Sequence, residues 1–152
     1  ISRTGVVGVL ATAGTLKAEK YLDNRGKFSE NVRIVEHVGQ GFVELVEKGI
    51  TTGPEAEETV SKSLKPLLDE NADTIVLGCT HYPFLSDTIK KVAEDEVPER
   101  EIKVIDPAPA VARHLVEVMH QEGLKIKEEG FRIYLHSSGN PETLHKIYDT
   151  LV

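Results

Sequence analysis

Apolar residues along this chain fall in short blocks that switch between two spacings. Val6-Val7-Gly8-Val9-Leu10 and Thr74-Ile75-Val76-Leu77 are nearly continuous apolar runs, the mark of strands covered on both faces. Val32 to Val38 and Ile102 to Ile105 read as two further strands, the second ending at Asp106-Pro107. Phe131, Ile133 and Leu135 alternate as a strand should. Between these blocks the spacing becomes helical. A helix is predicted near Leu16 to Leu22, stopping before Asn24 and Gly26. Phe42-Val43-Glu44-Leu45-Val46-Glu47 is a short amphipathic stretch that ends at Gly49. From Pro54, Ala56, Val60, Leu64, Leu67 and Leu68 recur at helical spacing, with Pro66 expected to bend or restart the helix. Leu85, Ile89 and Val92 mark a helix starting around Pro83 or Phe84, and Val111, Leu115, Val118 and Met119 mark another. Leu144, Ile147, Tyr148 and Leu151 close the chain on a helix with Asn140 as cap and Pro141 at its first position.

Strands alternating with helices imply an α/β fold, a mostly parallel sheet flanked by helices on both faces. Ligands in such sheets bind beyond the carboxyl ends of the strands. The loops after Leu10 and Leu77 are therefore the places to look, and both are rich in Thr.

Composition narrows the field. Apolar residues make up 39% of the 152 residues and charged residues 28%, enough for a core in a single domain or in one domain with a tail. A net charge of -7 argues against nucleic acid as the main ligand, because phosphate binding needs a concentrated basic surface. No apolar run approaches the ~18 residues of a membrane span, so no membrane partner is expected. The first residue is Ile1 and a strand follows almost at once, so the chain reads as a piece of a longer one. A single cysteine excludes an internal disulfide and suits a reducing cytoplasm.

That cysteine, Cys79, lies where a buried strand gives way to a turn. A thiol between a strand end and a helix start sits near backbone N–H groups, which favours the thiolate. His81 can exchange a proton with such a thiol or with a substrate, and Thr80 adds a hydroxyl and an N–H suited to an anion. The plainer alternatives are a buried structural thiol and a surface-loop histidine. No metal is expected, since Cys-x-His is too tight a pair and no second cluster completes a site. His37, His114, His120, His136 and His145 are scattered over strands and helix flanks and read as structural or solvated.

Gly78-Cys79-Thr80-His81-Tyr82-Pro83, preceded by Asp73-Thr74-Ile75-Val76-Leu77, closely resembles the second cysteine motif of glutamate racemases. Gly8-Val9-Leu10-Ala11-Thr12-Ala13-Gly14-Thr15 resembles the strand and Thr-bearing loop of that family's second domain. Phe42 to Gly49 resembles its Phe-Val-Pro-Leu-Val-Glu-x-Gly segment, and Val104-Ile105-Asp106-Pro107 the strand that leads back to the first domain. Gly39-Gln40-Gly41 stands where the family commonly has Cys-Pro, and Glu44 replaces its usual Pro. The resemblance implies the C-terminal half of a cofactor-independent racemase that converts L-glutamate to D-glutamate for bacterial peptidoglycan. Two opposed thiols do this chemistry, of which Cys79 would be one, and the first catalytic cysteine has no counterpart here. By the same resemblance His81 assists Cys79 and binds substrate with Thr80, while Thr12, Thr15 and Glu47 line the same cleft. Residues 1–106 would form the second catalytic lobe, and 107–152 would pack towards the missing first lobe. The implied partners are glutamate, the N-terminal half of the enzyme and a possible second copy in a homodimer. The fragment alone would be inactive. Two rival readings are a single-cysteine decarboxylase of the same superfamily and a non-catalytic α/β binding module.

Overall fold

The structure, a computed structural model, describes residues 2–124, 130 and 132–151. The chain divides into two compact units, Ile1–Asp106 and Pro107–Val152.

The first unit is built on a four-stranded sheet in the order β2-β1-β3-β4, where β1 is Val6–Ala11, β2 Arg33–Val38, β3 Thr74–Leu77 and β4 Lys103–Ile105. Every pairing is parallel, so every crossover carries helix. Register places Gly8 beside Val35 and Ile75, and Val9 beside Glu36 and Val76. The two apolar runs seen in the sequence are the two central strands, and Leu10, Ile75 and Leu77 are fully buried.

Helices α4 (Pro54–Asp69) and α5 (Ser86–Glu96) cover one face and pack on each other. Val60, Leu64, Leu67, Leu68, Ile89 and Val92 supply the contact surface. The approach is close: a Cβ added at Gly8 would lie 2.8 Å from Ile75 Cδ1 and 3.1 Å from Leu67 Cδ1. Pro66 sits inside α4, which runs unbroken from Pro54 to Asp69 rather than restarting. The other face is bordered by α2 (Glu19–Phe28). Val7, Val9, Ile34, Val76 and Ile105 there line a cavity of about 440 Å³ together with Tyr21 and Phe28 of α2.

Two expectations need correction. The single helix expected near Leu16 to Leu22 is two, α1 (Ala13–Lys17) and α2, and α2 continues through Asn24 and Gly26. A glycine in a helix interior costs only about 1 kcal/mol. Tertiary contacts outweigh it here, because the Tyr21 hydroxyl donates to Glu36 at 2.6 Å and Arg25 pairs with the same carboxylate at 3.3 Å. The strand expected over Phe131, Ile133 and Leu135 is also not found. Phe131 lies outside the described residues, and Ile133 to Leu135 join no ladder of the sheet. Alternation alone cannot make a strand without a neighbour to take its hydrogen bonds.

In the second unit α6 spans Ala108–Gln121 and α7 Pro141–Leu151. The expected cap is present, since Asn140 Oδ1 accepts the Glu142 N–H at 2.8 Å. The apolar stripe of α6 is exposed, with Val111 at 66% and Leu115 at 59%. Among the described residues no helix is long and apolar enough to cross a membrane.

Candidate active site

The carboxyl ends of β1, β2 and β3 converge through backbone hydrogen bonds that outlast the strands. Gly78 N–H donates to Leu10 O at 2.7 Å, and Gly39 N–H donates to Ala11 O at 3.2 Å. Each strand then releases a short loop on the same edge of the sheet: Thr12 after β1, Gly39-Gln40-Gly41 after β2, and Gly78-Cys79 after β3.

Cys79 is half-buried and carries a free thiol. Its Sγ lies 4.0 Å from His81 Nδ1, and His81 Nε2 lies 3.8 Å from Glu47 Oε1. Thiol, imidazole and carboxylate thus form a line from the strand end to α3 (Phe42–Lys48). The end of α3 fixes where Glu47 stands. Gly49 adopts φ 76, and its N–H returns to Leu45 O and Val46 O, a left-handed closure that other residues adopt only with strain.

The turn after Cys79 differs from expectation. No α-helix starts at Pro83 or Phe84. A single 3-10 turn, Tyr82–Leu85, comes first, and α5 begins at Ser86. Tyr82 N–H donates to Cys79 O at 3.1 Å and Phe84 N–H to His81 O at 3.2 Å, so these bonds shape the turn around the thiol.

At the end of β1, Thr12 caps α1: its Oγ1 accepts the Thr15 N–H at 3.3 Å and lies 2.9 Å from Thr15 Oγ1. The two hydroxyls are therefore fixed relative to each other beside the Gly78–Leu10 contact. Thr80 is exposed. Of the sequence-derived residues, the structure joins Cys79, His81 and Glu47 in one line and Thr12 with Thr15 in a second group. Elsewhere, His37 Nδ1 lies 2.9 Å from Val38 O, and His114 Nδ1 lies 3.3 Å from Glu117 Oε2 on α6. Among the described residues no group of three or more His, Cys, Asp or Glu side chains is arranged to hold a metal ion.

Sequence reasoning passed over Tyr82 as a residue in its own right. It is fully buried, its hydroxyl donates to Gly39 O at 3.1 Å, and its ring meets Phe42 edge-on at 4.9 Å. Burial, reinforced by negative charge at Cys79, pushes its phenol up to about 12, so it stays a neutral donor. The available signal was a large aromatic directly before Pro83.

A parallel sheet with a thiol, an imidazole and paired hydroxyls on its carboxyl edge defines a class. The chain belongs to the Asp/Glu/Hydantoin racemase family, whose profile matches residues 1–115. Within that class its sequence is similar to glutamate racemases. It is 40% identical over 139 residues to the glutamate racemase of Ralstonia pickettii (strain 12J), covering 91% of this chain and 48% of that protein. It is 36% identical over 151 residues to that of Ectopseudomonas mendocina (strain ymp), covering 99% and 56%. The chain thus spans about half the length of the curated relatives it matches. Among solved structures, glutamate racemase from Francisella tularensis in complex with D-glutamate superposes with a TM-score of 0.70 at 26% identity, over 82% of this chain and 45% of that one. The Escherichia coli enzyme, in complex with L-glutamate and the activator UDP-MurNAc-ala, shares the fold with a TM-score of 0.75 at 24% identity, over 99% of this chain and 56% of that one.

Proposed function

We propose that this chain is one catalytic lobe of a cofactor-independent glutamate racemase, with Cys79 as the proton-transfer group on one face of the substrate Cα. The observation that carries the reading is the Cys79 thiol at the carboxyl end of β3, with His81 at 4.0 Å and Glu47 beyond it. Family membership and the names of the relatives support the substrate assignment.

Inversion at Cα needs a base on one face and an acid on the other, because a single group returning its own proton restores the starting enantiomer. In the proposed step the Cys79 thiolate takes the Cα proton of L-glutamate and becomes a thiol. An acid from the other lobe then protonates the opposite face. In reverse, the Cys79 thiol delivers the proton. His81 receives or returns that proton, and Glu47 orients the imidazole. The Thr12–Thr15 pair and Thr80 offer hydroxyls and N–H groups to the substrate's carboxylate and amino substituents. Residues 1–106 form this lobe, and 107–152, with the exposed apolar stripe of α6, pack towards the other lobe. The product supplies D-glutamate for peptidoglycan in a bacterial cytoplasm.

The test is circular dichroism of L- and D-glutamate incubated with the chain alone, then with the remaining half of its parent added. The chain alone is expected to be inactive, the mixture active, and the mixture with Cys79→Ala inactive again. Steady racemisation by the isolated chain would break the two-base arrangement. Racemisation by the Cys79→Ala mixture would remove Cys79 from the mechanism.

A further inference from the structure

We propose that Tyr82 is a positioning residue: it ties the Cys79–His81 turn to the end of β2 and to α3, and so sets His81 between Cys79 and Glu47. The inference deepens the reading above and rests on Cys79 and His81 working as a pair.

One side chain and its own N–H make three attachments. The N–H reaches back to Cys79 O at 3.1 Å. The hydroxyl crosses to Gly39 O at 3.1 Å, a bond between residues 43 positions apart. The ring edge meets Phe42, the first residue of α3, with planes at 60°. Glu47 rides on that same helix and faces His81 at 3.8 Å. The ring therefore fixes the separation between the element bearing the carboxylate and the turn bearing thiol and imidazole. It has no slack. Tyr82 is 0% exposed, and a Cβ added at Gly39 would stand 2.6 Å from its hydroxyl oxygen and 2.7 Å from Cζ. The Sγ–Nδ1 distance of 4.0 Å is already long for a sulfur contact, so a shift of the turn by a few tenths of an ångström decides whether thiol and imidazole interact.

The chain has one cysteine, so alkylation by iodoacetamide reads Cys79 alone. Rates are measured at one fixed pH on the folded chain and on Tyr82→Leu, Tyr82→Phe and Gly39→Ala, each with and without His81→Asn. In the unmodified background His81→Asn is expected to change the rate by at least about twofold, the lower range of coupling between contacting groups. That His81-dependent factor should vanish in Tyr82→Leu and be recovered in Tyr82→Phe, which keeps the ring against Phe42. Gly39→Ala crowds the hydroxyl from the opposite side and should abolish the factor as Tyr82→Leu does. It carries the test if Tyr82→Leu fails to fold. The same His81-dependent factor in every background would reduce Tyr82 to core packing and overturn the proposal, as would no His81 dependence in the unmodified chain. The two readings separate cleanly. A reassembled parent that never racemises glutamate while this coupling persists removes the racemase and leaves the positioning role. An active parent without the coupling does the reverse.

Discussion

Asp73 gives the most quantitative handle on how the first unit holds together. It sits at the amino end of β3, opposite the site, and only 7% of it is exposed. One carboxylate oxygen accepts the backbone N–H groups of Arg3 at 2.6 Å and Thr4 at 2.9 Å, and the other accepts the Thr74 hydroxyl at 3.1 Å. Burial alone would push this carboxyl up. The hydrogen bonds from Ser2, Thr4, Arg3 and Thr74 outweigh it and bring the group from 3.8 to about 2. At about 1.4 kcal/mol for each tenfold in proton affinity, the ionised carboxylate contributes about 2 kcal/mol to folding. The sign follows from linkage: a depressed carboxyl stabilises fully above its unfolded value of 3.8 and loses that contribution as pH falls towards about 2. Asp73→Asn keeps one acceptor but removes the charge. Near neutral pH it should lower the urea midpoint by about 1 M, for a slope of about 2 kcal/mol per M. Between about pH 4 and pH 2 the gap between the two proteins should close, because the native aspartate protonates while the asparagine does not change. Paired urea titrations across that range measure it. A gap of the same size at both ends would mean that shape rather than charge is lost, and the account of Asp73 would fail.

Three further outcomes follow from the geometry. On the proposed mechanism, His81→Asn in the reassembled parent should lower kcat in one direction about tenfold or more beyond the loss in the other, since His81 adjoins Cys79 alone of the two proposed proton-transfer groups. The ratio of kcat/KM values stays fixed by the reaction equilibrium, so equal loss of kcat in both directions would make His81 a general binding residue. Gly78→Ala would place a Cβ 2.9 Å from Ala11 Cβ and 3.3 Å from Leu10 O, forcing the ends of β1 and β3 apart. It should cost about 1–3 kcal/mol in urea unfolding, and an unchanged midpoint would refute the close approach. Thr88→Val removes the hydroxyl that donates to Thr51 O at 2.6 Å and should cost about 1–3 kcal/mol, read by thermal unfolding against Thr88→Ser as the control that keeps the bond.

Much of the fold was legible because parallel strands leave a plain trace. A strand covered on both faces must be apolar at nearly every position, as Val6 to Leu10 and Thr74 to Leu77 are, whereas α3 and α4 between them bury apolar residues at helical spacing. Where the reading went astray, local signals were opposed by distant ones. Asn24 and Gly26 look like a helix end, yet α2 runs through them because Tyr21 and Arg25 are both held by Glu36 on β2. Ile133 to Leu135 look like a strand, yet a strand is a relation between two segments and among the described residues no ladder partner takes them up.

The site divides along the same line. Cys79 was visible from one fact of architecture, that chemistry in a parallel sheet collects at the carboxyl ends of strands. His81 came with it because two residues of turn cannot carry it far. Glu47 lies on a different element, and only the resemblance to a family proposed it. The structure adds the 3.8 Å approach to His81. Tyr82 was hidden for a different reason. Its meaning lies in a glycine 43 positions earlier, and an absent side chain at Gly39 gives no sign until the phenol is seen filling that space. Reactive groups announce themselves by type, while the residues that aim them are ordinary core aromatics distinguished only by their contacts. If Tyr82 aims His81, the arrangement at Cys79 depends on a ring seated between Phe42 of α3 and the backbone at Gly39. The precision of the thiol would then come from how closely β1, β2 and β3 finish together, not from the cysteine motif alone.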